Sequence, residues 1–300
     1  MRPGAGPGDG TLRPRFFLPS EALDPAALAG DGPSGLELPV LAEDAYHART
    51  VLRARVGEAC EVVLEPHGLL AGATFSRVGK VVAVRLGPLV PYPGGTRIHL
   101  TLVQALPAAR KMDLVMEKGT EVGVDAFVVV PAEGSPPVPA ERLRDRLERW
   151  RRVAREAARQ SRQLAVPTVR AAGNLEQVQA LLGGGGRLED VVGAGQGQAV
   201  LEPAAGQGLQ SWLEGRRRLL AGLVAAFPDG LPAALHPYLP PEPAQRLVVW
   251  VGPEGGWSAG ERECFAASGL PLVTLGRRVL RTETAGAVAA AVVRFCLGDW

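Results

Sequence analysis

The stretch that most restricts the fold runs from Leu247 to Ala291, LVVWVGPEGGWSAGERECFAASGLPLVTLGRRVLRTETAGAVAAA. An apolar run of strand type, Leu247 to Val251, stops at Gly252-Pro253-Glu254-Gly255-Gly256, and Ser258 with Glu261 has the spacing of a capping box that opens a helix. A second unit repeats the logic. Leu272 to Leu275 reads as a short buried strand, Gly276 breaks it, and Leu280 to Ala285 leads into an alanine-rich helix. Two such turns, ending adjacent strands, meet at one edge of a parallel sheet, where open α/β folds bind ligands. Neither turn fits G-x-G-x-x-G or G-x-x-x-x-G-K-[ST]. Alone, GPEGG reads as a tight loop; the pair reads as a ligand site.

Three hundred residues with 46% hydrophobic content are expected to form about two ordinary domains. The N-terminus lacks a charged stretch followed by an apolar one, and no apolar run has spanning length, so the expected setting is the cytoplasm, without a membrane. Cys60, Cys264 and Cys296 are odd in number and widely spaced, which gives neither a disulfide framework nor a metal site. A net charge of +2 does not by itself announce a nucleic-acid binder. Nearly all the basic residues are arginine, which suits bidentate phosphate contacts and also fits a GC-rich coding bias.

Residues 1–10 are rich in glycine and proline and read as a disordered tail. Short strand candidates then recur from Arg13 to Val90, at Cys60 to Leu64, Ala71 to Ser76, Val81 to Leu86 and Pro88 to Val90, the pattern of a small barrel. Pro91 to Gly95 is a breaker cluster and marks the domain boundary, so the domains are expected at 11–92 and 96–300. The second domain opens with a strand, Arg97 to Leu106. A helix over Lys111 to Val122 carries Met112, Val115, Met116 and Gly119 on one face, and a buried strand follows at Ala126 to Pro131. Glu141 to Arg162 is the strongest helix: Leu143, Leu147, Trp150, Ala154 and Ala157 form one stripe while arginines crowd the other faces. Those arginines fit a solvated face and an RNA-facing one equally. About 183–208 the chain is Gly/Gln/Ala-rich and reads as a flexible insertion. A strand is expected again at Arg216 to Leu223.

GPEGG with its Ser-x-x-Glu cap, then LG, then LRTETA, resembles the signature of the SPOUT methyltransferases, in particular the RsmE family of 16S rRNA (uracil-N3) methyltransferases. Arg15-Phe16-Phe17, the His47-x-x-x-Val51-Leu52-Arg53 segment, Lys111 to Val124 and the Glu156 to Arg162 segment with Val166-Pro167 are similar to that family too. Two features depart from it: Ala132 to Pro137 stands where a Glu-Arg-Ser loop is usual, and the expected strand at Arg216 to Leu223 lacks a following glutamate.

The resemblance implies an α/β fold with a C-terminal trefoil-knotted parallel-sheet SPOUT domain and a small N-terminal PUA-like β-barrel. It implies S-adenosylmethionine (SAM) as cofactor, 16S rRNA or the 30S subunit as partner, and a homodimer. The cofactor contacts it points to are Gly252, Pro253, Glu254, Gly255, Gly256, Leu275, Gly276, Leu280, Arg281 and Thr282. Glu254 fits a ligand contact and also a bond to nearby loop amides. Arg281 is the candidate catalytic residue, placing positive charge beside a uracil carbonyl oxygen; a structural pair with Glu283 is the alternative. Arg15, Arg49, Arg53, Arg159 and Arg162 are the candidate RNA contacts, against plain solvated charges. An RNA methyltransferase with a different target, and a noncatalytic RNA-binding assembly factor, stay open as rival functions.

Overall fold

The computed structural model of the chain describes residues 13–19, 23, 33–92, 98–108, 111–175, 177–178, 197–202, 205–211, 213 and 245–297. They form two compact units that divide after Tyr92.

The first unit contains β1 (Arg15–Pro19), β2 (Glu37–Pro39), α1 (Ala42–Thr50), β3 (Ala59–Glu65), β4 (Leu69–Val78) and β5 (Val82–Leu89). The strands form one sheet in the order β1-β3-β4-β5-β2. β1 lies parallel to β3 and the other pairs are antiparallel. Register shifts between Ala71 and Ala73 and between Phe75 and Arg77 add twist. They help to curl the sheet into a half-barrel. The sequence divided β5 into two strands, but the sheet keeps it as one. Pro88 falls at the register shift between the pairs Ala71–Leu89 and Ala73–Leu86, where its missing N–H breaks no ladder bond.

The second unit begins with β6 (Ile98–Ala105), α2 (Lys111–Glu121), β7 (Ala126–Val130), α3 (Ala140–Gln160) and β8 (Thr168–Ala171). It continues with β9 (Gly197–Leu201), β10 (Gln207–Gly208), β11 (Gln245–Val251), α4 (Ala259–Ala267), β12 (Leu272–Thr274) and α5 (Thr282–Leu297). Among the described residues its sheet has seven strands in the order β10-β12-β9-β11-β6-β7-β8, all parallel. Both faces are covered, as a parallel sheet requires. Leu100, Leu102, Phe127 and Val249 pack on one side with Met116 of α2, Trp150 of α3 and Val293 of α5. Val103, Val128 and Trp250 face the other side, against Trp257 just before α4 and Phe265 within it.

One expectation is overturned at the centre of this sheet. β9 lies inside the stretch read as a flexible insertion at about 183–208, yet it pairs with β11 on one side and β12 on the other. The two glycine turns therefore end strands separated by β9, not adjacent ones. The remaining part of that stretch up to 196, and the strand expected at Arg216 to Leu223, lie outside the described residues, as do residues 1–10. No helix among the described residues is long and apolar enough to cross a membrane.

The far end of the sheet is fastened by a buried cation. Arg294 of α5, 8% exposed, donates to the carbonyls of Gly123 and Ile98 and to the Asp125 carboxylate at 2.6 Å. Asp125 in turn accepts from the Leu100 amide at 2.8 Å. Removing Arg294 leaves the Asp125 carboxylate, only 20% exposed, and the two carbonyls without their donor, which costs far more than the pair contributes over an apolar substitute. Arg294→Leu is expected to lower unfolding stability by about 3 kcal/mol, measured by urea denaturation followed by tryptophan fluorescence.

Candidate active site at the strand ends

The carboxyl ends of β9, β11 and β12 open onto a cavity of about 320 Å³, within the usual size range of ligand pockets. Its wall is built from both glycine turns: Gly252, Pro253, Glu254 and Gly256 from the first, Leu275, Leu280, Arg281 and Thr282 from the second. Gly255 and Gly276, also expected as contacts, are not in the lining. Their turns still depend on glycine, since Gly256 has φ +74° and Gly276 has φ +116°. The first turn is held at its far end by the anticipated capping box. Ser258 Oγ accepts from the Glu261 amide and Glu261 Oε2 accepts from the Ser258 amide.

The cavity also takes in residues that the sequence reading did not single out: Lys111, Glu202, Trp257 and Arg278. Glu202 places an acidic residue in the cavity wall. β9 is an apolar strand followed directly by Glu202, whereas the segment from Arg216 to Leu223 lies outside the described residues. The Glu202 carboxylate is largely buried, 12% exposed, with the Arg262 guanidinium 3.8 Å away. The signal was the tripeptide Val200-Leu201-Glu202, hidden by its glycine- and glutamine-rich flanks.

Glu254 proves to be tied to its surroundings. Its carboxylate accepts from the Ala108 amide at 3.0 Å and pairs with Lys111 at 3.0 Å, and Lys111 reaches Glu283 at 3.6 Å. Glu283 is thus engaged by Lys111 and not by Arg281, the alternative raised for it. Burial works to raise the Glu254 carboxyl, but its own backbone amide, Lys111 and the Ala108 amide outweigh that and hold it below the usual carboxylate range. The Lys111 ammonium is pushed up, chiefly by its hydrogen bond to Glu254. Arg281 is exposed and lines the cavity, leaving its charge available to a bound substrate.

The loop that replaces Glu-Arg-Ser is also fastened to this site. The Glu133 amide donates to Glu261 Oε1 at 2.9 Å, and a Cβ on Gly134 would stand 3.3 Å from Pro253 Cγ. The changed loop therefore buttresses the first glycine turn.

The candidate RNA contacts divide. Arg15 is 5% exposed and its guanidinium holds Glu61 at 2.7 Å, so it clamps β1 to β3 and is withdrawn from any RNA surface. Arg159 is likewise buried, 9% exposed, and ion-paired with Glu156 one turn earlier. Arg49 is exposed and donates to the Gly79 carbonyl at 3.2 Å. Arg53 is exposed and Arg162 half-buried, and both have positive φ, +51° and +62°, a conformation uncommon outside glycine. Arg149 and Arg151 of α3 pair with Asp113 and Glu148.

A sequence profile of the RNA methyltransferase domain matches residues 95–188 and 208–294, the unit that carries this cavity. The chain is 31% identical over 270 residues to the ribosomal RNA small subunit methyltransferase E of Mycobacterium bovis, covering 86% of each protein. It belongs to the ribosomal RNA small subunit methyltransferase E family. Two solved structures share the fold. A methyltransferase of Legionella pneumophila in complex with SAM superposes with a TM-score of 0.70 at 22% identity, covering 95% of this chain and 98% of that one. The family member of Neisseria gonorrhoeae bound to SAM gives 0.67 at 23% identity over 95% and 98%.

Because the Glu254 carboxyl is depressed in the folded protein, its contribution to stability is present above the ordinary carboxylate pKa and is lost as pH falls through the lower, folded value. Glu254→Gln is therefore expected to melt lower than the parent at neutral pH and to lose less stability between about pH 5 and pH 3. Thermal melts across that range check it. The difference should be small, since the group is a third exposed.

Proposed function

We propose that the protein transfers the methyl group of SAM to N3 of a uridine in 16S rRNA of the small ribosomal subunit. The observation that carries this reading is the cavity itself, in which both glycine turns of the family signature converge on the strand ends together with Arg281. SAM supplies an activated methyl group, and the chain has to hold the cofactor, present the acceptor nitrogen in line and manage a proton.

The backbone of the Gly252–Gly256 turn and the side chains of Leu275 and Leu280 hold the adenosyl part, where close approach and apolar walls suit a purine. Lys111 offsets one of the two negative charges of Glu254 and Glu283 and so weakens the repulsion of RNA phosphates by the floor of the site. N3 of uracil carries a proton at neutral pH, and charge gathers on the flanking carbonyl oxygens as that proton leaves. Arg281 stabilises this charge or orients the ring. Arg49, Arg53 and Arg162 contact the rRNA backbone, whereas Arg15 and Arg159 serve the fold.

A second copy of the chain covers the face of α5 that exposes Val288 and Phe295, 36% and 74% accessible. The rRNA substrate puts the enzyme in the cytoplasm. Glu202 in the cavity wall and the packing of Gly134 against Pro253 support the catalytic reading over that of a noncatalytic assembly factor.

The test is transfer of labelled methyl from SAM to small subunits from a strain lacking the gene, followed by digestion to nucleosides. Label in 3-methyluridine is expected. Label in another nucleoside would move the protein to a sister activity. In the same assay Arg281→Ala is expected to reduce the transfer rate by about 100-fold; full rate with normal RNA affinity excludes the role given to Arg281.

A further inference from the structure

Gln104, in the middle of the sheet, belongs to neither glycine turn and does not line the cavity. It is nonetheless fully buried, 0% exposed, and its Nε2 donates to Thr282 Oγ1 at 3.0 Å and to the Ala105 carbonyl at 3.0 Å. Thr282 passes its own hydroxyl proton on, donating to the Gly252 carbonyl at 2.6 Å. Since that hydroxyl has only one hydrogen, and a carbonyl can only accept, the amide nitrogen of Gln104 must be the atom that faces them. Its Oε1 is then left buried with no partner.

An unsatisfied amide oxygen in a core lowers stability, so stability alone does not account for a glutamine here. What the side chain does secure is a link between the two halves of the site. Helix α5 lies close enough for this link because it approaches β6 at Gly286. A Cβ on Gly286 would stand 2.8 Å from Leu102 Cδ2 and 3.6 Å from Gln104 Oε1.

We propose that Gln104 is a positioning residue for the cofactor turn: acting through Thr282, it fixes the Gly252 carbonyl on the Thr282 hydroxyl and fixes the first turn of α5 beside Arg281. One buried amide thereby sets the orientation of a peptide in the first glycine turn and the start of the helix that follows the second. The inference rests on the reading of the cavity as a SAM site.

Gln104→Met keeps the length and bulk of the side chain and removes the orphaned oxygen, so it is suited to leave the fold intact. Thr282→Val removes the hydroxyl, and Thr282→Ser retains it. Two quantities are measured: the Kd for SAM by calorimetry, and backbone hydrogen exchange of the segment 252–257 in the protein without SAM. Gln104→Met and Thr282→Val are expected to weaken SAM binding about tenfold and to speed exchange in that segment, with Thr282→Ser restoring most of both. SAM affinity and exchange unchanged in Gln104→Met, or Thr282→Ser as impaired as Thr282→Val, overturns the proposal. If the parent protein binds no SAM, the cofactor reading fails, and the exchange comparison still decides whether Gln104 orders the turn.

Discussion

The site depends on one pairing. β9 joins β11 through the register Leu247–Gly197 to Trp250–Val200, and it joins β12 through the pairs Leu272–Val200 and Val273–Leu201. These parallel ladders bring three strand ends to the same level, and each end delivers something different. β9 delivers Glu202, β11 the Gly252 turn, and β12 the segment that leads to Leu280 and Arg281. A parallel strand has to be returned to the sheet by a crossover, so residues far apart in the chain become neighbours only when these ladders form. The cavity is a product of the sheet and not of any single motif.

Polar groups buried beneath that sheet decide how the elements meet. At one end of α5, Arg294 ties the helix to Asp125 and to the carbonyls of Ile98 and Gly123. At the other end Thr282 and Gln104 tie it to the Gly252 carbonyl. Between them the helix meets β6 at Gly286, and the small residues Ala289 and Ala290 are buried with it. Directional bonds at both ends and close packing between leave α5 little freedom to slide, and Arg281 immediately precedes it. The charged triad of Lys111, Glu254 and Glu283 adds a third connection, between α2, the first glycine turn and α5.

Much of this was legible in the residues. The Ser258–Glu261 capping box, the apolar stripe of α3 and the two strand-to-turn units all rest on local chemistry, and the structure has them where the pattern puts them. β9 was not legible, because only Ala199, Val200 and Leu201 are apolar and glycine and glutamine surround them. A short buried strand is recognised by its partners, and local periodicity carries no information about those. Arg15 shows the same limit for charge: its carboxylate partner, Glu61, is 46 residues away, so nothing near Arg15 marks it as a buried clamp. Arg159 is different, since Glu156 lies three residues before it and the helix spacing already allowed the pair.

The measurement that bears most directly on this account is a crystal structure of the protein with SAM. The account predicts the adenosyl group between the Gly252–Gly256 turn and the Leu275–Leu280 segment, with the methyl group toward Arg281 and the Gly252 carbonyl still bonded to Thr282. SAM bound elsewhere on the chain, or a Gly252 carbonyl turned into the cavity to meet it, would contradict it.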